Sequence, residues 1–87
     1  MTEQRLQSQI IKYIIARGGY TVKVITATKA GVPDIVCCVE GCFYGIEVKV
    51  GYNKPSALQK ANLLAIDMAG GKGILAYSLE DVILALP

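Results

Sequence analysis

Polar and apolar positions follow two periods along this chain, and each change of period marks an element. Over residues 2–17, Leu6, Ile10, Tyr13 and Ile14 recur at i, i+4, i+7 and i+8, the stripe of an amphipathic helix. Arg17, Gly18 and Gly19 end it, a basic residue followed by glycines suited to a left-handed cap. Residues 20–28 are rich in β-branched side chains and predict a strand. Lys29 to Pro33 reads as a turn, residues 34–39 as a second strand, Glu40-Gly41 as a tight reversal and residues 43–50 as a third strand. Three strands with short links predict an antiparallel meander. Gly51 to Pro55 breaks the pattern, and Ser56 with Gln59 makes an S-x-x-Q capping box for a second helix. Leu58, Ala61, Leu64, Ala65 and Met68 predict its buried face, and Gly70-Gly71 its end. Residues 73–77, GILAY, are wholly apolar and predict a strand buried in the sheet interior. A strand, a helix and another strand predict a right-handed parallel crossover. Ser78 with Asp81 predicts a second capping box, opening a short last helix. The element order is αβββαβα, without repeats or low-complexity segments.

At 87 residues the chain is read as a single domain, near the lower size limit for an independent core. Hydrophobic content of 53% and a mean hydropathy of +0.43 are high for that size, so part of the apolar surface is expected to be covered by a partner. Val82, Ile83, Leu84 and Leu86 spread around more of the last helix than one core face can bury, and Ile11 and Ile15 flank the stripe of the first. These positions predict the interface of a homodimer. No run reaches the roughly 18 apolar residues that span a bilayer. The polar N-terminus, MTEQRLQSQ, is unlike a secretory signal, and a cytoplasmic protein is expected.

Cys37, Cys38 and Cys42 lie close together and histidine is absent. Neighbours on a strand point to opposite faces, and no four-ligand zinc pattern exists, so reduced cysteines serving as small core residues are expected. A net charge of +2 does not by itself call for a polyanionic partner. Lys29, Lys54 and Lys60 do flank the segments around the chemistry-bearing residues, where phosphate contacts would lie.

That chemistry lies in the third strand. Ile46, Val48 and Val50 form one apolar face, so Glu47 and Lys49 share the other, inside the most hydrophobic part of the chain. Asp34 starts the strand before, and the hairpin can bring it to Glu47. Converging carboxylates repel unless a cation or a shared proton separates them. Oxygen ligands without His or Cys favour Mg²⁺ or Mn²⁺. A lysine on the same face can orient a water or help deprotonate it. These parts suit phosphodiester hydrolysis.

Pro33-Asp34 followed by Glu47-Val48-Lys49 resembles the PD-(D/E)XK nuclease signature. Gly31-Val32-Pro33-Asp34, Glu47-Val48-Lys49 and Ser56-Ala57-Leu58-Gln59 together resemble its virus-type replication-repair nuclease (VRR-NUC) branch. The resemblance spans almost the whole chain. It implies an α/β fold with an αβββαβ core, a mixed four-stranded sheet flanked by helices. It implies that Asp34, Glu47 and the Val48 carbonyl ligate Mg²⁺ or Mn²⁺, with Glu3 as a further candidate ligand. Lys49 would position the attacking water and stabilise transition-state charge, and Gln59 would orient the lysine or the metal shell. Single-domain members resemble Holliday-junction resolvases, homodimers acting on branched DNA.

Some of these residues have structural explanations as well. Gln59 serves as a capping residue, Glu3 as a helix-start acid favoured by the dipole, Gly31-Val32-Pro33 as a turn, and Tyr44 and Tyr52 as core or rim. Asp34, Glu47 and Lys49 do not, because a buried ion-pair network gains little stability. The expected function is a metal-dependent, structure-specific DNA endonuclease. The alternatives are an inactive nucleic-acid-binding module and a structural subunit.

Overall fold

The computed structural model describes all 87 residues. The elements are α1 (Glu3–Ala16), β1 (Tyr20–Lys23), β2 (Ile35–Val39), β3 (Cys42–Val48), α2 (Ala57–Met68), β4 (Lys72–Ala76) and α3 (Leu79–Ala85). The strands form one mixed sheet in the order β1-β2-β3-β4. The first three are antiparallel, as the meander requires, and β4 joins β3 in parallel after the α2 crossover. Val39 pairs with Cys42 around Glu40 (φ 50°) and Gly41 (φ 80°), a two-residue turn with both centres left-handed.

The two faces of the sheet differ in chemistry. Tyr44, Ile46 and Val48 of β3 and Ile35, Cys37 and Val39 of β2 point to one face. There they pack with Leu6, Ile10 and Ile14 of α1 and Val82 and Leu86 of the last helix region in a dry core. α2 covers the other face without burying any of its residues completely. Its close seat depends on Gly45 and Gly73, register partners on β3 and β4. A Cβ at Gly73 would stand 2.5 Å from the Leu63 carbonyl oxygen, and one at Gly45 would collide with Ile66 Cδ1.

The structure corrects several expectations. β1 stops at Lys23, not at residue 28. Val24 N–H still donates to the Asp34 carbonyl at 2.8 Å, but β1 is an edge strand and β2 does not extend below Ile35, so the chain beyond has nothing to pair with. β4 lies at the other edge, not in the interior. Its apolar run reports helices on both faces, since a strand's side chains sense layers and not edge neighbours. The face chosen for α2 is the outward one: Leu58, Ala61, Leu64, Ala65 and Met68 are exposed, and Gln59, Asn62, Leu63 and Ile66 turn to the sheet. The last segment is corrected the other way, because Val82 and Leu86 belong to the core and Leu84 alone is well exposed. Asp81 accepts from the Tyr77 N–H at 2.8 Å instead of the Ser78 N–H, so that cap is half a box. Of the cysteines, all unpaired, Cys37 is buried and Cys38 is exposed.

Candidate active site

Asp34 precedes β2 by one residue, and the register Ile35↔Ile46 continues to place it opposite Glu47 on the α2 face. Asp34 Oδ2 accepts from the Val48 N–H at 2.9 Å, which locks its carboxylate to β3. A strand residue's N–H and C=O leave by the same edge, so the Val48 carbonyl is turned to Asp34 as well. Lys49 N–H faces the opposite way and donates to the Ala76 carbonyl at 3.0 Å. Its ammonium returns over the site, 3.7 Å from Glu47 Oε2 with its side chain 15% exposed.

Gln59 joins helix start to site. Its Oε1 accepts from the Ser56 N–H at 2.8 Å, and Ser56 Oγ accepts from the Gln59 N–H at 3.1 Å. With its carbonyl held by the cap, the amide nitrogen is left to donate to Glu47 Oε2, at 3.2 Å. The capping and site explanations of Gln59 are therefore one arrangement.

Glu47 is 1% exposed, and its Oε1 is buried without a hydrogen-bond partner. Burial first, and then the Asp34 carboxylate, push its carboxyl up to about 7, against a smaller pull from Lys49. An unsatisfied buried carboxylate oxygen costs about 1–3 kcal/mol or more, so something is expected to bind it. The oxygen set, two carboxylates and a turned carbonyl, fits a hard divalent cation that keeps waters or substrate phosphate in its remaining positions. No third Asp, Glu, His or Cys gathers with the pair. The Glu3 carboxylate instead accepts from Asn53 Nδ2 at 3.2 Å.

Other candidates fall around this centre. Lys29, Lys54 and Lys60 are exposed, in the 24–34 segment, the approach to α2 and α2 itself. Tyr44 is core at 1% exposure and Tyr52 stands fully in solvent. Two residues passed over in the sequence brace the surroundings. Tyr77 Oη donates to the Asn53 carbonyl at 2.7 Å, tying the 49–55 segment to the end of β4. Asn62 Nδ2 donates to the Leu58 carbonyl at 2.9 Å and reaches the Ala30 carbonyl at 3.4 Å, holding the approach to Asp34 against α2. Their signal was a polar residue inside an apolar stretch.

No family model matches the sequence, and no curated protein does. Solved structures do. A VRR_NUC domain shares the fold with a TM-score of 0.81 and 24% identity, over 94% of this chain and 90% of that one. Archaeoglobus fulgidus Hjc, a Holliday junction resolvase from an archaeal hyperthermophile, matches with a TM-score of 0.67 and 21% identity, over 86% of this chain and 67% of that one. The chain has the fold of that VRR_NUC domain, which Hjc shares less closely. No helix is long and apolar enough to cross a membrane.

Proposed function

We propose that this protein is a divalent-cation-dependent endonuclease that hydrolyses phosphodiester bonds in branched DNA, four-way junctions above all, with two copies of the chain acting together. The observation that carries the reading is the convergence of Asp34, Glu47, Lys49 and Gln59 from three elements around one unsatisfied carboxylate oxygen. Fold likeness to a junction resolvase adds the substrate class, and to that extent the substrate is an analogy.

Asp34, Glu47 and the Val48 carbonyl would hold Mg²⁺ or Mn²⁺, which when bound supplies Lewis-acid polarisation of the scissile phosphate and a more acidic water. The chain's own groups do the rest. The Val48 N–H and Gln59 Nε2 fix the carboxylates so that little reorganisation accompanies binding. Lys49 keeps a positive charge beside the reacting group, where it orients the nucleophile and stabilises charge that builds on the phosphate. Exposed Lys29, Lys54 and Lys60 contact backbone phosphates, so affinity should fall steeply with salt and depend little on arm sequence. A four-way junction has two-fold symmetry, which two copies with matched sites can use to cut opposing strands.

The test is a cleavage assay on four-way, flap and single-stranded substrates, with Mg²⁺, with Mn²⁺ and with chelator. Junction cutting that chelator abolishes supports the reading. Tight binding without cutting under every condition would sink it in favour of a binding module.

A further inference from the structure

The turn that follows Lys49 is firmly anchored for an exposed segment. Asn53 N–H donates to the Val50 carbonyl at 3.2 Å, closing a turn whose centres are Gly51 (φ 58°) and Tyr52. The Asn53 carbonyl accepts from Tyr77 Oη at 2.7 Å, and Asn53 Nδ2 donates to Glu3 at 3.2 Å. The turn itself, the end of β4 and the start of α1 thus fix one residue. The residue before it, Tyr52, is fully exposed. An aromatic ring carried on a fixed turn meets a ligand without the cost of ordering a loop. Beside the turn lies a groove of about 520 Å³, lined in part by Leu6, Gln9, Val50, Gly51, Tyr77 and Ser78. Apolar walls with a few polar groups, at that size, are what small-ligand sites have.

We propose that this groove takes one unstacked nucleobase of the substrate strand, close to the scissile phosphate, with Tyr52 as its stacking partner. The ligand class rests on the nuclease reading; the base site is added to it and replaces the rim role expected of Tyr52. Val50 and Gly51 are the two residues after Lys49, and two residues of extended chain span about 7 Å. Val48 is the last residue of β3, so a strand held at Lys49 can turn past the end of the sheet to reach the groove. Flipped bases are received between aromatic or apolar side chains and read along their hydrogen-bonding edge. Leu6, Val50 and Tyr77 supply the walls here. Gln9 brings an amide with both donor and acceptor. Ser78 Oγ accepts from the Asp81 N–H at 3.2 Å and keeps its own hydrogen to donate. Exposed Lys54 lies two residues beyond Tyr52, so one short segment offers a stacking ring and a cation, the pairing that holds single strands.

The consequence is a preference for DNA in which a base near the cut is already loosened, because flipping costs least there. A branch point or a flap supplies such a base, and continuous duplex does not.

The test is read as binding and cross-linking in chelator, so it does not depend on cleavage. 5-Iodouracil placed singly along one strand of a four-way junction, and irradiated with the full chain, should couple to Tyr52 or Tyr77 from one or two positions beside the branch and from no others. An abasic nucleotide at that position should weaken junction binding about fivefold or more. Tyr52→Ala should cause a similar loss on the intact junction and no further loss on the abasic one. Its melting temperature and salt slope should match the parent's, since stacking releases no counterions. Tyr52→Phe should restore binding, whereas Lys54→Ala should lower the salt slope by about one. Cross-links confined to α2 or to the 24–34 segment, or none at all, would overturn the proposal. So would equal affinity for intact and abasic junctions, or a Tyr52→Ala loss that comes with a lower melting temperature. Base-specific cross-linking without cutting under any condition would keep the groove and remove the nuclease reading. Cutting that ignores the abasic nucleotide would do the reverse.

Discussion

The two faces of one four-stranded sheet have been used for opposite purposes. Against α1 and α3, β2 and β3 present Ile35, Cys37, Val39, Tyr44, Ile46 and Val48, all at 2% exposure or less. Against α2, the same strands and their ends present Asp34, Glu47, Lys49 and the helix-seating Gly45, with Gly73 beside it on β4. Neighbouring residues on one strand, Ile46 and Glu47, therefore differ only in the layer they meet. Stability is concentrated on the first face, which is filled with branched apolar side chains. The second gives up packing for polar groups that repel one another without a ligand. Local conflict with folding rules is the expected mark of a site.

This contrast can be broken first from the polar side. Asp34→Asn and Glu47→Gln should each lower cleavage by about a thousandfold or more, with the fold intact by circular dichroism. Glu47→Gln should also melt higher than the parent above neutral pH in chelator, because it removes a charge that burial penalises. Robust Mg²⁺-dependent cutting by either variant would refute the cation site. Lys49→Ala should lose the chemical step and keep cation binding by calorimetry.

From the apolar side, Ile46→Ala or Ile10→Ala should cost about 2–5 kcal/mol by chemical denaturation, enough to threaten so small a domain. Residual cleavage per folded molecule should stay close to that of the parent. A small loss of stability would mean that the core face is loosely packed.

pH reads both faces at once. The folded carboxyl of Glu47 sits at about 7 against an ordinary 4.5, so the folded chain holds a proton that the unfolded chain has released. Metal-free stability should thus be fullest below about pH 4.5 as far as this group is concerned, and fall as pH rises through about 7, by up to roughly 3 kcal/mol. Added Mg²⁺ or Mn²⁺ should raise the melting temperature more at pH 8 than at pH 5. A cation effect independent of pH would separate binding from Glu47. Burial and the neighbouring thiols also raise Cys37, to about 11, so exposed Cys38 should be the thiol alkylated first.

Gln59 sits where the faces' demands meet, and Gln59→Glu divides them. Glutamate can still accept from the Ser56 N–H, so helix stability should change by less than the roughly 1 kcal/mol that a lost cap costs. It cannot donate to Glu47 and brings a third negative charge to the site. Cleavage should fall well beyond any change in melting. Equal losses in the two would make Gln59 a cap alone.

Much of this molecule was decided locally. The α1 stripe at Leu6, Ile10 and Ile14, the reversal at Glu40-Gly41 and the box at Ser56 and Gln59 each need only a few consecutive residues, and each forms where its pattern lies. The alternation Ile46-Glu47-Val48-Lys49 placed both charged groups on one side of a strand. The hairpin then required Asp34 to meet them, which made most of the candidate site's geometry legible as well.

Tertiary packing settled what local pattern leaves open. The length of β1 depended on whether a partner strand continued beyond Lys23, and none did. β4 became an edge because GILAY records coverage by helices and says nothing of neighbours in the plane. α2 has apolar residues on two sides of its cylinder. Gly45 and Gly73, remote in sequence, made the groove that drew Leu63 and Ile66 inwards and left Leu64 and Met68 outside. The single amide of Gln59 could serve its cap and its carboxylate together only once that seat fixed the helix start beside Glu47. A side chain's type and period are set by the chain; which of two apolar surfaces is covered, and which carboxylate oxygen lacks a partner, is set by elements that meet from far apart.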